Sequence, residues 1–241
     1  MDFPRINLHI HTNFSDGENS IKEIVVKSLK LGLNYIAITD HFSNSWKANL
    51  IATLDTAEKI ERYLTEIRKC QNYLKIHNKY LGLYKGLEID IGSSEEVIKK
   101  FIRPECFDLI LFEYLETFEG LTFIKNIIEY WKKSITLKNF PLLGLAHFDP
   151  SLFISGGLDI LLNFLKNYNI YFEFNSRYSE YYSQRNQVFF KKLKEKNIHV
   201  AIGSDAHNSR NLDDIEEPLN VIRSYNLENS FKAFLNLLKQ R

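Results

Sequence analysis

The chain has 241 residues, 44% of them hydrophobic and 25% charged, with a formal net charge of +1 at pH 7. That size and balance suit one sizeable core, such as an α/β barrel, and give no basic field for a nucleic-acid partner. The opening MDFPRINLHIH lacks an apolar stretch of signal-peptide length and no later run is long enough to span a bilayer, so a cytoplasmic protein without membrane association is expected.

Short apolar runs alternate with longer amphipathic segments along the chain. The runs are Ile6–Ile10, Tyr35–Thr39, Leu81–Ile89, Phe107–Phe112, Leu142–Ala146, Ile170–Phe174 and Val200–Gly203. Helical spacing covers Ile21–Leu31, Asp55–Ile76, Glu95–Phe101, Leu121–Ser134, Leu158–Asn167, Gln187–Lys196 and Ser230–Lys239. The clearest is Asp55–Ile76, where Asp55 and Glu58 form the expected N-terminal cap. Cys70 falls on the apolar face of that segment and is read as a small buried hydrophobe. Neither Cys70 nor Cys106 lies in a CxxC pattern, which argues against a disulfide framework or a thiolate zinc site. Seven strand–helix units in alternation, with no linker-like composition between them, predict one domain over 1–241 and a parallel sheet able to close into a barrel.

The residues at the ends of these strands carry the chemistry. The first run ends at His9 and His11, with Asp16 following; the second ends at Asp40 and His41, the third at Glu88. The fifth ends at His147 and Asp149, the sixth at Glu173 and Asn175, the seventh at Asp205 and His207. In a parallel α/β barrel these ends open on one face, so ligand-type residues far apart in sequence converge there. One such histidine alone is more often a hydrogen-bonded core or surface residue. Five of the chain's seven histidines at equivalent positions, flanked by carboxylates, are too costly to bury without something that pairs them, and divalent cations would. Residues i and i+2 of a strand share a face, so His9 and His11 can approach one ion together, and Asp205 and His207 can share a site. Imidazoles mixed with carboxylates suit zinc, manganese or iron better than magnesium or calcium.

The segments LHIHTNFSDG, AITDH, GLEID, GLAHFD, EFN and GSDAH, spread from Leu8 to His207, resemble in order and spacing the motifs of the polymerase-and-histidinol-phosphatase (PHP) superfamily. GLEID and AHFD are most similar to its histidinol-phosphate phosphatase branch. The resemblance implies a distorted seven-stranded (β/α)7 TIM-like barrel holding two or three divalent transition metals. It implies that His9, His11 and Asp205 bind the first ion, that Glu88 bridges the first and second, that His147 binds the second, and that Asp16, His41 and His207 hold the third. One position departs from the pattern: Leu115 stands where the family has a histidine ligand of the second ion. Either that site lacks a ligand, or Glu113 or Glu116 supplies a carboxylate in its place; Glu113 as an ordinary solvated glutamate is the equal alternative.

Such a centre would hydrolyse a small phosphomonoester, with a metal-bound hydroxide near Glu88 attacking phosphorus. Glu88, Asp205 and His207 are the expected catalytic residues, and L-histidinol phosphate is the first candidate substrate. Glu173 is expected to orient a ligand imidazole or to serve as a structural acceptor. Arg177, just after EFN, is the expected phosphate clamp, with Arg185 as its rival. Tyr178, Tyr181 and Tyr182 are candidates for an aromatic wall, and Trp46 and Lys47 in FSNSWKANL for clamp or wall. The alternatives are a phosphoesterase of the same fold acting on nucleotides or phosphotyrosine, and a non-catalytic metal-binding module.

Overall fold

The computed structural model describes residues 3–135 and 140–241. In chain order its elements are β1 (Ile6–Asn7), α1 (Ile21–Leu31), β2 (Tyr35–Ile38), β3 (His41–Phe42), α2 (Ala57–Ile76), β4 (Gly82–Asp90), α3 (Glu95–Phe101), β5 (Leu109–Glu113) and α4 (Phe118–Ser134). There follow β6 (Leu142–Leu145), the one-turn α5 (Ser151–Ile154), α6 (Leu158–Tyr168), β7 (Ile170–Asn175), α7 (Gln187–Glu195), β8 (Val200–Gly203), α8 (Glu216–Ser224) and α9 (Glu228–Leu238).

Every strand pairing is parallel, in the order β1-β2-β4-β5-β6-β7-β8. β3 continues β2 along β4 in the same register: Ile38 lies opposite Lys85 and His41 opposite Glu88. The interruption falls at Thr39 and Asp40. Both reach across to the first strand's extension, where Thr39 N donates to Ile10 O (2.8 Å) and Asp40 Oδ1 accepts from Thr12 N (2.7 Å). Seven strand positions therefore form a nearly closed α/β barrel, as the alternation predicted.

The seam between β8 and β1 differs from a regular ladder. The apolar run Ile6–Ile10 predicts a longer first strand than the two residues seen. Beyond Asn7 the chain is shared between neighbours: Leu8 N donates to Ile202 O (3.0 Å), and Ala206 N donates to His9 O (3.2 Å). His11 N then donates to Ala206 O (2.9 Å), and Ile10 and Ala206 form an isolated parallel bridge. The buried Asn7 side chain fills the gap in the ladder: its Nδ2 donates to Ser204 Oγ and Leu212 O, and its Oδ1 accepts from Ser204 N and His9 N.

The helices cover the barrel through apolar stripes. Ile60, Tyr63, Leu64, Ile67 and Leu74 form the buried face of α2, each such side chain contributing about 1.5–3 kcal/mol of burial. Its cap is Thr56, whose hydroxyl accepts from Lys59 N, rather than Asp55, which pairs with the Lys59 ammonium at 2.7 Å. Cys70 is half-buried against the core. α8 was not expected from sequence; Pro218 and Ile222 are its buried positions, a sparse stripe among charges. Among the described residues no helix is long and apolar enough to cross a membrane.

Candidate active site

All the strand-end residues open at the carboxyl ends of the strands. His9 and His11 follow β1, His41 begins β3, Glu88 lies in β4 and Glu113 ends β5. His147 follows β6, Glu173 lies in β7, and Asp205 and His207 follow β8. Seven described non-glycine residues have positive φ. Four are asparagines just past helices; the other three are Tyr114, His147 and Asp205, all at this end of the barrel. A left-handed backbone at such residues costs free energy and persists only where the surroundings hold it.

The donor atoms converge. His9 Nε2 lies 3.0 Å from His11 Nε2, and His11 Nε2 lies 3.0 Å from Asp205 Oδ1. Glu88 stands against the same group: Oε1 is 3.2 Å from His9 Nε2, and Oε2 is 3.4 Å from His11 Nε2. Ligands about 2.0–2.2 Å from one tetrahedral ion are themselves roughly 3–3.5 Å apart, so this set has the span of a divalent site. A second set joins Asp16, His41 and His207: His207 Nε2 is 3.1 Å and His41 Nε2 3.6 Å from Asp16 Oδ2. His11 turns its other nitrogen toward this set, with Nδ1 at 3.7 Å from Asp16 Oδ1. A third group comprises His41, Glu88 and Glu113. His147 Nε2 approaches Glu88 Oε1 at 3.2 Å.

Two observations test whether these residues suit cations. Both oxygens of Glu88 are buried without a hydrogen-bond donor, although imidazole nitrogens surround them, and His11 Nδ1 is likewise buried and unpartnered. Polar atoms buried in this way are costly unless something else satisfies them. Second, an imidazole is held from behind. His9 Nδ1 pairs with Glu173 Oε1 at 2.9 Å, which turns Nε2 to the cluster, the arrangement of a metal-ligating histidine. His207 Nδ1 lies 2.8 Å from Asp205 O and 3.0 Å from Arg177 Nη1. The donor set therefore fits divalent ions.

Electrostatics follow from the crowding. Burial opposes a charged His9, but Glu173 and Glu88 hold its pKa well above the usual value. His41 is raised in the same way, burial opposing and Glu88 prevailing. Burial, together with the charge of His41, pushes His11 down to about 3. Against their own burial, Glu88 and Asp205 are held below the usual carboxylate range by the imidazoles around them.

The supporting contacts extend outward. Asp40 is buried and accepts from Thr12 and Ser15, which fixes the loop between His11 and Asp16. Glu173 also accepts from His147 N (2.8 Å), so one carboxylate backs two elements of the centre. It has room because residue 203 is glycine: a Cβ there would lie 1.9 Å from Glu173 Oε1 and 2.6 Å from His9 Cβ.

A cavity of about 270 Å³ opens above the cluster, bordered by Trp46, Lys47, Tyr114, Arg177 and Tyr178. Arg177 lines it, donating from Nη1 to Asp205 Oδ2 at 3.1 Å. Arg185 is exposed and turned to Asp149 at 3.8 Å, outside the cavity. Tyr178 lies over the His147 ring at 4.6 Å, with Tyr181 stacked behind it at 5.5 Å. Tyr182 is buried and hydrogen-bonded to Asn175 instead. Leu115 is packed in the core and Glu116 is exposed. Glu113 is buried, both its oxygens held by Lys47 Nζ at 2.8 and 2.7 Å. Sequence reading placed Lys47 in an irregular loop and gave no sign of this pair, which joins residues 66 positions apart.

Beyond the cluster, a recess of about 640 Å³ shares Arg177, Asp205 and His207 and is edged by Asp213, Asp214, Glu216 and Glu217.

Comparison with known proteins agrees with this architecture. The family model described as the PHP domain matches residues 7–239. The chain is 24% identical over 230 residues to the DNA polymerase/3'-5' exonuclease PolX of Bacillus subtilis, of which it spans only 36%. It is 24% identical over 237 residues to a probable histidinol-phosphatase of Thermotoga maritima, spanning 93% of that protein and 92% of itself. Among solved structures, the histidinol phosphate phosphatase of Lactococcus lactis, complexed with zinc, L-histidinol and phosphate, superimposes with a TM-score of 0.66 at 17% identity, covering 92% of this chain and 93% of that one. A structure from work on metal-dependent tyrosine phosphatases of Bacillus subtilis and Streptococcus pneumoniae gives 0.57 at 18% identity, covering 91% and 86%.

Proposed function

Since the chain belongs to the PHP domain family, we propose that it is a metal-dependent phosphatase acting on a small phosphomonoester, with L-histidinol phosphate the first candidate. The observation that carries this reading is the convergence of His9 Nε2, His11 Nε2 and Asp205 Oδ1 on the donorless oxygens of Glu88, beside the guanidinium of Arg177. His9, His11, Asp205 and Glu88 would hold one divalent ion, and Asp16, His41 and His207 another. His147 faces Glu88 at the edge of the same cluster. Divalent ions bound there would supply Lewis acidity toward phosphate and a nucleophilic water at neutral pH.

The chain's own groups do the rest. Arg177, one face of its guanidinium tied to Asp205, offers its remaining N–H groups to phosphate oxygens. Asp205 and Glu88 keep negative charge under the reacting centre, and His207, with Nδ1 against Asp205 O and Arg177 Nη1, is fixed in orientation with Nε2 toward Asp16. Tyr178 and Trp46 border the cavity and supply aromatic surface of the kind an imidazole would pack against. The acidic recess beside Arg177 suits the ammonium of an amino alcohol such as histidinol, which favours that ester over one lacking a cation.

The test is phosphate release by metal-loaded protein from histidinol phosphate, nucleoside monophosphates, phosphotyrosine and a generic aryl phosphate. Turnover of histidinol phosphate with the highest kcat/KM is the expected result. Protein that carries its ions yet is inert on every ester overturns the reading.

A further inference from the structure

We infer that the ammonium of Lys47 takes the place of a metal ion at the third donor group, so that this centre binds two divalent ions rather than three. The inference rests on the metal-centre reading above and assigns its stoichiometry. It starts from the side chains that border Glu88 on the β5 side. His41, Glu88 and Glu113 bring donor atoms within 4.8 Å of one another, enough for an ion. Lys47 Nζ is already there, at 2.7 and 2.8 Å from the two Glu113 oxygens and 3.1 Å from His41 Nδ1. Both Lys47 and Glu113 are buried, so this is a fixed internal pair and not a surface contact.

The lysine is built in. Its loop is pinned by Asp90, which accepts from Ser43 Oγ at 2.8 Å and from Ser45. Asn44 N donates to Ser93 Oγ at 3.1 Å, and Thr53 Oγ1 donates to Ser43 O at 3.0 Å. A buried ammonium with two carboxylate oxygens in reach neutralises a charge that would otherwise need an ion.

The remaining donors do not make up a third site. His41 turns Nε2 toward Asp16 and His207, 3.6 Å from Asp16 Oδ2, and is committed to the ion there. His147 and Glu88 supply only two protein donors, and the position that the sequence pattern gives to a further histidine is Leu115, buried in the core. Sites that keep an open coordination position hold their ion with three protein ligands.

The experiment counts metal by elemental analysis after loading metal-free protein with Zn²⁺ and, separately, Mn²⁺, and removing excess. Wild type carries two ions per chain. Lys47→Met frees Glu113, which lines the same cavity as His147, to join His147 and Glu88 as a third protein ligand, and raises the count to three; adding Glu113→Gln to that variant returns it to two. Glu113→Gln alone leaves the count at two, since Glu113 is not a ligand in the native centre. If Lys47→Met does not fold, this single variant decides: a fall below two makes Glu113 a ligand and sinks the inference. A wild-type count other than two, or a folded Lys47→Met that stays at two, overturns it as well. The count needs no substrate: two ions in an enzyme inert on every ester leaves this inference standing while the phosphatase reading falls, and three ions with turnover does the reverse.

Discussion

Glu173 Oε1 lies 2.9 Å from His9 Nδ1, and the same carboxylate accepts from the backbone N–H of His147. It therefore fixes which nitrogen of His9 faces the cluster. Glu173→Gln removes the charge while keeping the shape, and is expected to weaken metal binding by about 10- to 100-fold. Competition with a chromophoric chelator measures this. Affinity unchanged within about twofold would make Glu173 a structural acceptor only. Gly203→Ala should act in the same direction, because the added methyl strikes that carboxylate.

Arg177 is half-exposed and bonded to Asp205, so its phosphate contact is a charged hydrogen bond partly screened by water. Arg177→Ala should raise KM by about tenfold, the low end of the roughly 1.5–3 kcal/mol for such bonds. The exposed Arg210→Ala is the control. Equal KM in the two variants removes the clamp.

Metal affinity should rise with pH. The pKa values of His9 and His41 are held above the usual imidazole value, so the metal-free protein keeps protons there at neutrality, whereas His11, pushed down to about 3, is already neutral. A ligand nitrogen must lose its proton to bind, so metal uptake releases protons, and affinity increases by about tenfold per pH unit for each proton displaced. Calorimetry between pH 6 and 8, in buffers of different ionisation enthalpy, checks this. A flat profile with no proton release contradicts it.

Asn7 replaces regular pairing at the β1–β8 seam with four side-chain hydrogen bonds. Asn7→Ala leaves buried partners unsatisfied and should cost about 2–3 kcal/mol. That corresponds to a fall in Tm of roughly 5–10 °C for a chain of this length. A loss under about 0.5 kcal/mol in urea unfolding would show that the seam closes without it.

The barrel and its cluster were legible because both rest on short-period patterns. Strand–helix alternation announced the parallel sheet, and ligand-type residues recurring at strand ends announced the shared face. The spacing of His9 and His11 announced that their Nε2 atoms meet, 3.0 Å apart, and the six quoted motifs gave the family. What stayed hidden depends on long side chains or on competition between neighbours. The cap of α2 is Thr56, one residue past Asp55, which pairs with the Lys59 ammonium; the sequence offers both residues as caps of the same type and does not rank them. α8 escaped because its apolar positions are few. The burial of Lys47 against Glu113 follows from a loop path that no local pattern records.

The bridge between Ile10 and Ala206 places His9 and His11 beside Asp205, residues from opposite extremities of the barrel's chain order. An ion held by both would work as a clasp across the join between β8 and β1. A chain lacking its final strand would offer only half the grip, so ion capture would mark completion of the barrel. Removing the ion should loosen that join before any other.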